Sequence, residues 1–217
     1  MAEITQIFDD EHIFITGMTG CGKTMLAEVY TAGMGTVIKL DTKQEYTSKR
    51  QEGKEPWYGL TEGEDYEVCF SLEQVFNSQA EKIIYEMPWD EQNEDTYNAL
   101  FEWVFQNGDI RVWVDELMTV CPNSMNIPKW LKAIYTAGRS RRASVIACTQ
   151  RPSGIPAICI ANSTHYYVFA MPQPQDRKKM QDVTGCLEFG DKPEKYWFWY
   201  YKQGMDEGEA VKAKLIL

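Results

Sequence analysis

The run Gly17-Met18-Thr19-Gly20-Cys21-Gly22-Lys23-Thr24 constrains this chain more than any other feature. It fits G-x-x-x-x-G-K-[ST] at every fixed position. It follows a short apolar segment, His12-Ile13-Phe14-Ile15-Thr16, and precedes a stretch of helical character running from near Lys23 to about Thr31. Glycines let the backbone curl so that successive N–H groups point inward at phosphate oxygens, and the helix opening there adds the positive end of its dipole. Lys23 has the reach to meet β- and γ-phosphates, and the Thr24 hydroxyl can ligate Mg²⁺. Strand, loop and helix in this order predict a βα unit that binds a nucleotide through its phosphates.

The rest of the chain alternates in the same way. Thr36–Asp41, Tyr66–Phe70, Lys82–Met87, Ile110–Val114, Val145–Cys148 and Tyr166–Ala170 read as further strands. Helical spacing over Asp95–Gln106 is closed by Gly108, a helix is expected from about Pro128 to Arg139, and Ser71 can cap a short one. The polar stretch Thr42–Asp65 reads as a surface excursion. Lys195–Tyr201 and Val211–Leu217 alternate enough to form a terminal antiparallel pair. The expected fold is α/β: a mostly parallel sheet with helices on both faces, of the RecA-like P-loop NTPase kind, in one domain over residues 1–217.

Composition narrows the setting. No run approaches the roughly 18 apolar residues that span a bilayer, and the Met1-Ala2-Glu3-Ile4 start lacks the basic and apolar regions of a signal peptide. A soluble intracellular protein is therefore expected. Six cysteines lie scattered with neither a C-x-x-C pair nor a histidine at metal spacing, which favours buried free thiols over disulfides or zinc.

Two strand ends carry polar side chains suited to chemistry. Ile110–Val114 delivers Asp115-Glu116 to the carboxyl edge of the sheet, where α/β proteins bind ligands. Asp115 would hold the Mg²⁺ shell, and Glu116 would orient and polarise an attacking water. Val145–Cys148 runs into Thr149-Gln150, and a neutral Gln150 can both donate to and accept from a γ-phosphate, so it can sense whether that group is present.

Around that strand the sequence resembles the FtsK–HerA superfamily of P-loop motors. The matching residues are Gly138-Arg139-Ser140-Arg141-Arg142, the apolar strand, Thr149-Gln150-Arg151-Pro152-Ser153 and Ile155-Pro156. Asp41-Thr42-Lys43 resembles the family's D-x-K element, and Asn162-Ser163-Thr164 followed by Asp176 resembles the segment after the sensor, so the likeness spans Ile13 to Asp176. Without room for large extra domains, the chain is most similar within that superfamily to the genome-packaging ATPases of tailless icosahedral viruses with internal membranes. The resemblance implies ATP and Mg²⁺ as cofactors and a homo-oligomer, a hexameric ring with ATP sites between subunits. It implies double-stranded DNA driven through the pore, and capsid, portal-vertex and viral inner-membrane proteins as partners, at the virion packaging vertex or in the host cytoplasm. An intersubunit ATPase also calls for an arginine from the neighbour; Arg139, Arg141 and Arg142 are the candidates, with Arg139 and Arg142 ahead. Arg151 is expected to hold the sensor loop.

A net charge of −10 argues against broad, tight DNA binding but leaves room for a few pore contacts, for which Lys43, Lys49, Arg50 and Arg177–Lys179 are candidates. The aromatic run Tyr196–Tyr201 is expected to pack rather than stack on bases. Alternatives are an ATPase that powers phage assembly or export or plasmid mobilisation, and a small-molecule kinase. The kinase is disfavoured by the Asp115-Glu116 pair, by Gln150 and by the lack of an Arg-rich lid. No N/T-K-x-D segment supports GTP, and no LSGGQ-like segment supports an ABC transporter.

Overall fold

Apolar residues alternate along the short strands, and the alternation sorts them onto two faces of one sheet. In the computed structural model, which describes residues 7–206 and 208–216, the strands are β1 (Ile13–Thr16), β2 (Val37–Asp41), β3 (Glu67–Cys69), β4 (Lys82–Glu86), β5 (Arg111–Val114), β6 (Ser144–Thr149), β7 (His165–Phe169), β8 (Trp197–Lys202) and β9 (Val211–Lys214). They form one sheet in the order β3-β4-β2-β5-β6-β1-β7-β8-β9. The first seven in that order are parallel neighbours, whereas β8 pairs antiparallel with β7 and β9. The α/β expectation and the terminal antiparallel pair both hold; Leu217, expected in the last strand, lies outside the described residues, as do Met1–Ile4.

The helices are α1 (Lys23–Ala32), α2 (Glu45–Gln51), α3 (Leu72–Asn77), α4 (Glu94–Asn107), α5 (Leu117–Val120), α6 (Lys129–Ala137), α7 (Ala157–Ala161) and α8 (Pro174–Thr184). Ser71 and Asn93 cap α3 and α4 by accepting from the Gln74 and Thr96 N–H groups, as side-chain oxygens at these positions do. One face of the sheet packs Val112, Val114, Val145 and Ala147 against Leu100, Phe101 and Val104 of α4, Leu131 and Ile134 of α6, Ile160 of α7 and Met180 of α8. The other packs Ile13, Ile15, Trp113 and Ile146 against Leu26 and Ala27 of α1.

That second face corrects one expectation. Thr42–Asp65 is not simply a surface excursion: it contains α2, and it sends Trp57 into full burial beside Trp113, with ring centroids 5.9 Å apart. The indole N–H donates to Thr31 Oγ1 at 3.0 Å. Lys39, fully buried on β2, lies 4.5 Å from the Trp113 ring centroid and 3.4 Å from Glu28 of α1, while Lys49 of α2 also bonds Glu28. One polar loop thus supplies the cover that a helix supplies elsewhere. Helices α7 and α8 were not expected from the sequence. The aromatic run packs as expected, with Phe198 against Tyr167 and Phe169, and Tyr201 against Tyr166 and Phe189. All six cysteines are free and buried.

At the amino-terminal rim, buried His12 accepts the Val145 N–H on Nδ1 at 3.0 Å. Burial pushes its pKa down to about 4, against smaller raising effects from the Ile134 backbone and Asp10. A folded pKa below the unfolded value near 6.5 means that the unfolded chain binds the proton more readily. The His12 contribution to stability is therefore complete above pH 6.5 and falls as pH drops towards 4, by on the order of 3 kcal/mol in total. Urea denaturation of wild type and of His12→Asn, which keeps an acceptor but does not titrate, is expected to give curves that converge between pH 7 and pH 4.

Candidate active site

Strands β2, β5, β6 and β1 are adjacent and parallel, with Leu40 in register with Val114, Val114 with Ala147, and Thr16 with Thr149. Everything that follows these strands therefore emerges at one edge. That edge collects Lys43 after β2, Asp115 and Glu116 after β5, Gln150 after β6 and the Gly17–Thr24 loop after β1. A cleft of about 310 Å³ is lined by Thr19, Gly20, Gly22, Lys23, Thr24, Met25, Lys43, Glu45, Asp115, Gln150 and Tyr196. A second cavity of about 450 Å³, between Gln92, Tyr97, Met125 and Pro128, holds neither the loop nor the acid pair.

The phosphate loop is anchored on two strands. Gly17 N donates to Thr149 O at 3.3 Å and Met18 N to Ala170 O at 2.8 Å. Gly17 has φ 151°, and a Cβ there would stand 2.5 Å from Phe169 Cβ, so the loop needs glycine both for its turn and for its approach to β7. Lys23 is buried and donates to the carbonyl oxygens of Gly17 at 2.8 Å and Met18 at 3.1 Å, closing the loop on itself. Cys21 is buried beneath the loop; burial raises its thiol pKa despite nearby Lys23, so it carries no reactive thiolate. Thr19 Oγ1 donates to Gln150 Oε1 at 2.8 Å, which ties the loop to the end of β6.

Asp115 and Glu116 are 2% and 6% exposed. Both Asp115 carboxylate oxygens and Glu116 Oε1 lack a hydrogen-bond partner among the described residues. Burying such oxygens is costly unless something positive meets them. Lys43 answers in part, its Nζ standing 3.2 Å from Asp115 Oδ2 and 3.5 Å from Glu116 Oε2. These are ion-pair distances without an aligned hydrogen bond at Asp115, which leaves the carboxylate lone pairs open. Burial works against the Lys43 ammonium, but Asp115, Glu116 and Glu45 overcome it and raise its pKa. The open carboxylate lone pairs of Asp115, in a cleft that Thr24 also lines, fit Mg²⁺ completed by phosphate and water oxygens.

Arg151 behaves as expected: its Nε meets Asp176 Oδ2 at 2.9 Å, and Asp176 Oδ1 accepts the Ser153 N–H at 3.0 Å, pinning the loop after Gln150. The other arginines sit elsewhere. Arg139 pairs with Asp10 at 2.7 Å and Arg142 with Asp9 at 2.8 Å, before β6 begins, while the Arg141 guanidinium lies 4.8 Å from the Phe105 ring centroid. The length of β6, roughly 16 Å, separates them from the cleft of their own chain. The sequence also missed that Lys43 belongs to the acid pair rather than to a free basic face, and that Lys49 and Arg50 are engaged with Glu28 and Glu62. Tyr196, in the left-handed region with φ 67°, likewise lines the cleft unforeseen.

Replacing Gly17 by alanine is expected to cost on the order of 3 kcal/mol, from a forced contact with β7 and a disfavoured φ. Chemical denaturation reads this directly, and a change under about 0.5 kcal/mol would contradict the described approach of loop and strand.

No protein-family model matches the chain, and no curated protein sequence is recognisably similar to it. Solved structures are similar in fold. The genome packaging NTPase B204 of Sulfolobus turreted icosahedral virus 2, in complex with ATP-gammaS, superposes with a TM-score of 0.74 at 15% identity, covering 97% of this chain and all of that one, 100%. VirB4 of Thermoanaerobacter pseudethanolicus gives 0.63 at 11% identity over 98% of this chain and 92% of that one. The pCW3 conjugation coupling protein TcpA gives 0.59 at 14% over 94% of this chain and 60% of that one. The chain therefore has a P-loop NTPase fold of the kind seen in viral packaging and conjugation proteins.

Proposed function

We propose that this protein is an ATPase, working as one domain, that uses ATP and Mg²⁺ to translocate double-stranded DNA, and that its task is to package a viral genome into a preformed capsid. The observation that carries the ATPase reading is the convergence of the Gly17–Thr24 loop, buried Asp115 and Gln150 on one cleft, with buried Glu116 next to Asp115 in the chain. Two carboxylates in tandem favour hydrolysis over phosphoryl transfer to a metabolite. The packaging reading is supported by similarity in fold to a genome packaging NTPase over nearly the whole of both chains.

In this reading Lys23 leaves the Gly17 and Met18 carbonyls and turns to the β- and γ-phosphates, so bonds from the ammonium to neutral oxygens are exchanged for bonds to anionic ones. Backbone N–H groups from Gly17, Met18, Thr19, Gly20, Cys21 and Gly22 cradle the phosphates. Thr24 and Asp115 would hold Mg²⁺, which would supply charge compensation to the phosphate oxygens. Glu116 accepts a proton from the attacking water as its oxygen bonds to phosphorus and the bond to the leaving diphosphate breaks. Gln150, which accepts a hydrogen bond from Thr19, changes partner when the γ-phosphate arrives and passes that change to the loop held by Arg151 and Asp176. Arg139 or Arg142 would act on the site of a neighbouring copy in a hexameric ring, since its own cleft is out of reach. The acidity of the chain, −10 overall, fits DNA contact confined to a pore, with docking to capsid or inner-membrane proteins at the packaging vertex.

Lys23→Ala is expected to abolish ATP hydrolysis while circular dichroism stays native. Glu116→Gln should still bind ATP but lose about 10²–10⁴ in turnover, as removal of a general base does. Near-normal turnover in Lys23→Ala, or failure of Glu116→Gln to bind ATP, would remove these assignments. Accumulation of empty particles when Lys23 is disabled in the intact virus would support packaging; filled particles would point to another ATP-driven task.

A further inference from the structure

The loop between β2 and α2 is held more firmly than a connection of its length requires. Asp41, buried at the end of β2, accepts the N–H groups of Lys43 at 3.2 Å and Glu45 at 3.0 Å on Oδ1, and that of Tyr46 at 2.7 Å on Oδ2. Glu86, at the end of β4, accepts the N–H and hydroxyl of Thr47 at 2.9 and 2.7 Å. Thr42 is gripped from two sides, its Oγ1 by the Thr119 hydroxyl after β5 and its carbonyl by the Gln92 amide after β4, each at 2.9 Å. These bonds fix the backbone of Lys43 beside the acid pair and leave its four-carbon stem free to move.

The ammonium at the end of that stem compensates charge without saturating the acids. It stands 3.2 Å from Asp115 and 3.5 Å from Glu116, yet the Asp115 oxygens and Glu116 Oε1 have no hydrogen-bond partner among the described residues. The Lys43 side chain is 32% exposed, against 1% and 8% for its two partners, so it alone has a path out of the contact towards the cleft. A cation that neutralises buried carboxylates but leaves their lone pairs open is a cation that another can replace.

We propose that Lys43 is a resident counter-cation of the Asp115–Glu116 pair, holding the place of the divalent ion until nucleotide delivers it and then yielding that place. This rests on the reading that the acid pair faces the metal. A divalent ion that arrives alone meets an acid pair already half neutralised, with an ammonium beside its ligand oxygens. Metal and Lys43 are therefore antagonistic ligands of one site, and by linkage each weakens the other. Metal alone binds poorly; metal arriving with phosphates, which add oxygen ligands and give the displaced ammonium an anionic partner, binds well. The effect is to couple loading of the metal to loading of the nucleotide.

The test is binding of Mn²⁺ alone to the nucleotide-free full chain, read by loss of the free-ion electron paramagnetic resonance signal. Lys43→Met is expected to bind Mn²⁺ about tenfold more tightly than wild type, within the range for coupled sites. Lys43→Arg, which keeps the charge, should bind as weakly as wild type, and adding Asp115→Asn to Lys43→Met should remove the gain. Lys43→Gln serves the same purpose should Met not be accommodated, with native circular dichroism required of each variant. Unchanged or weaker Mn²⁺ binding in the neutral variants, or a gain that survives Asp115→Asn, overturns the proposal. No nucleotide enters the experiment, so its outcome is separate from that of the Lys23 and Glu116 variants, which test ATP hydrolysis itself.

Discussion

Two carboxylates buried at the end of one strand have to be met by positive charge, and the arrangement of this edge follows from how that need is answered. Asp115 and Glu116 come off β5, which lies between β2 and β6, with β1 next beyond β6. In a parallel sheet all four strands end on the same side, so a cation after β2, an amide after β6 and a phosphate loop after β1 are brought to the acids by topology alone. Lys43, Gln150, Lys23 and Thr24 come from segments remote in sequence and share one cleft. Each of the first three has a protein partner there: Lys43 the acids, Gln150 Thr19, and Lys23 the carbonyls of its own loop.

The face behind the phosphate loop explains how this edge is kept rigid. Glu28, on the helix that opens at Lys23, is shared between Lys39 of β2 and Lys49 of α2, and the Trp57 indole closes over Thr31 of the same helix. Fully buried aromatic side chains contribute several kcal/mol of packing, and a charge pair beneath them is retained only with well-placed partners. The helix of the phosphate loop and the loop that carries Lys43 are thereby joined through one buried network. A shift of either would disturb the other.

Local signals were legible in the sequence because local physics dictates them. The glycine pattern before Lys23 requires its turn, the apolar run before Asp115 requires a buried strand, and Ser71 announces a cap; each sits where it was expected. Signals that depend on strand order were not legible. Asp41-Thr42-Lys43 shows a carboxylate and an ammonium near a strand end, but only the adjacency of β2 and β5 makes Lys43 a partner of Asp115. Trp57 was hidden within a polar stretch, since composition averages away a single anchor. The arginine cluster was placed correctly before β6, yet its distance from the cleft emerges only from the parallel direction of that strand. Helices α7 and α8 were missed because α7 is five residues long and α8 is strongly polar, with Asp176 and Met180 its buried residues.

The central claim is that Lys23, Thr24, Asp115 and Glu116 surround one metal-bound nucleotide. Its most direct measurement is a crystal structure grown with Mn²⁺ and a non-hydrolysable ATP analogue, with the metal located by anomalous scattering. The account predicts one strong peak between the Thr24 hydroxyl and the Asp115 carboxylate, with Lys23 on the terminal phosphates and Glu116 facing the γ-phosphorus. A nucleotide seated away from the Gly17–Thr24 loop, or a metal with no path to Asp115 even through water, would contradict it.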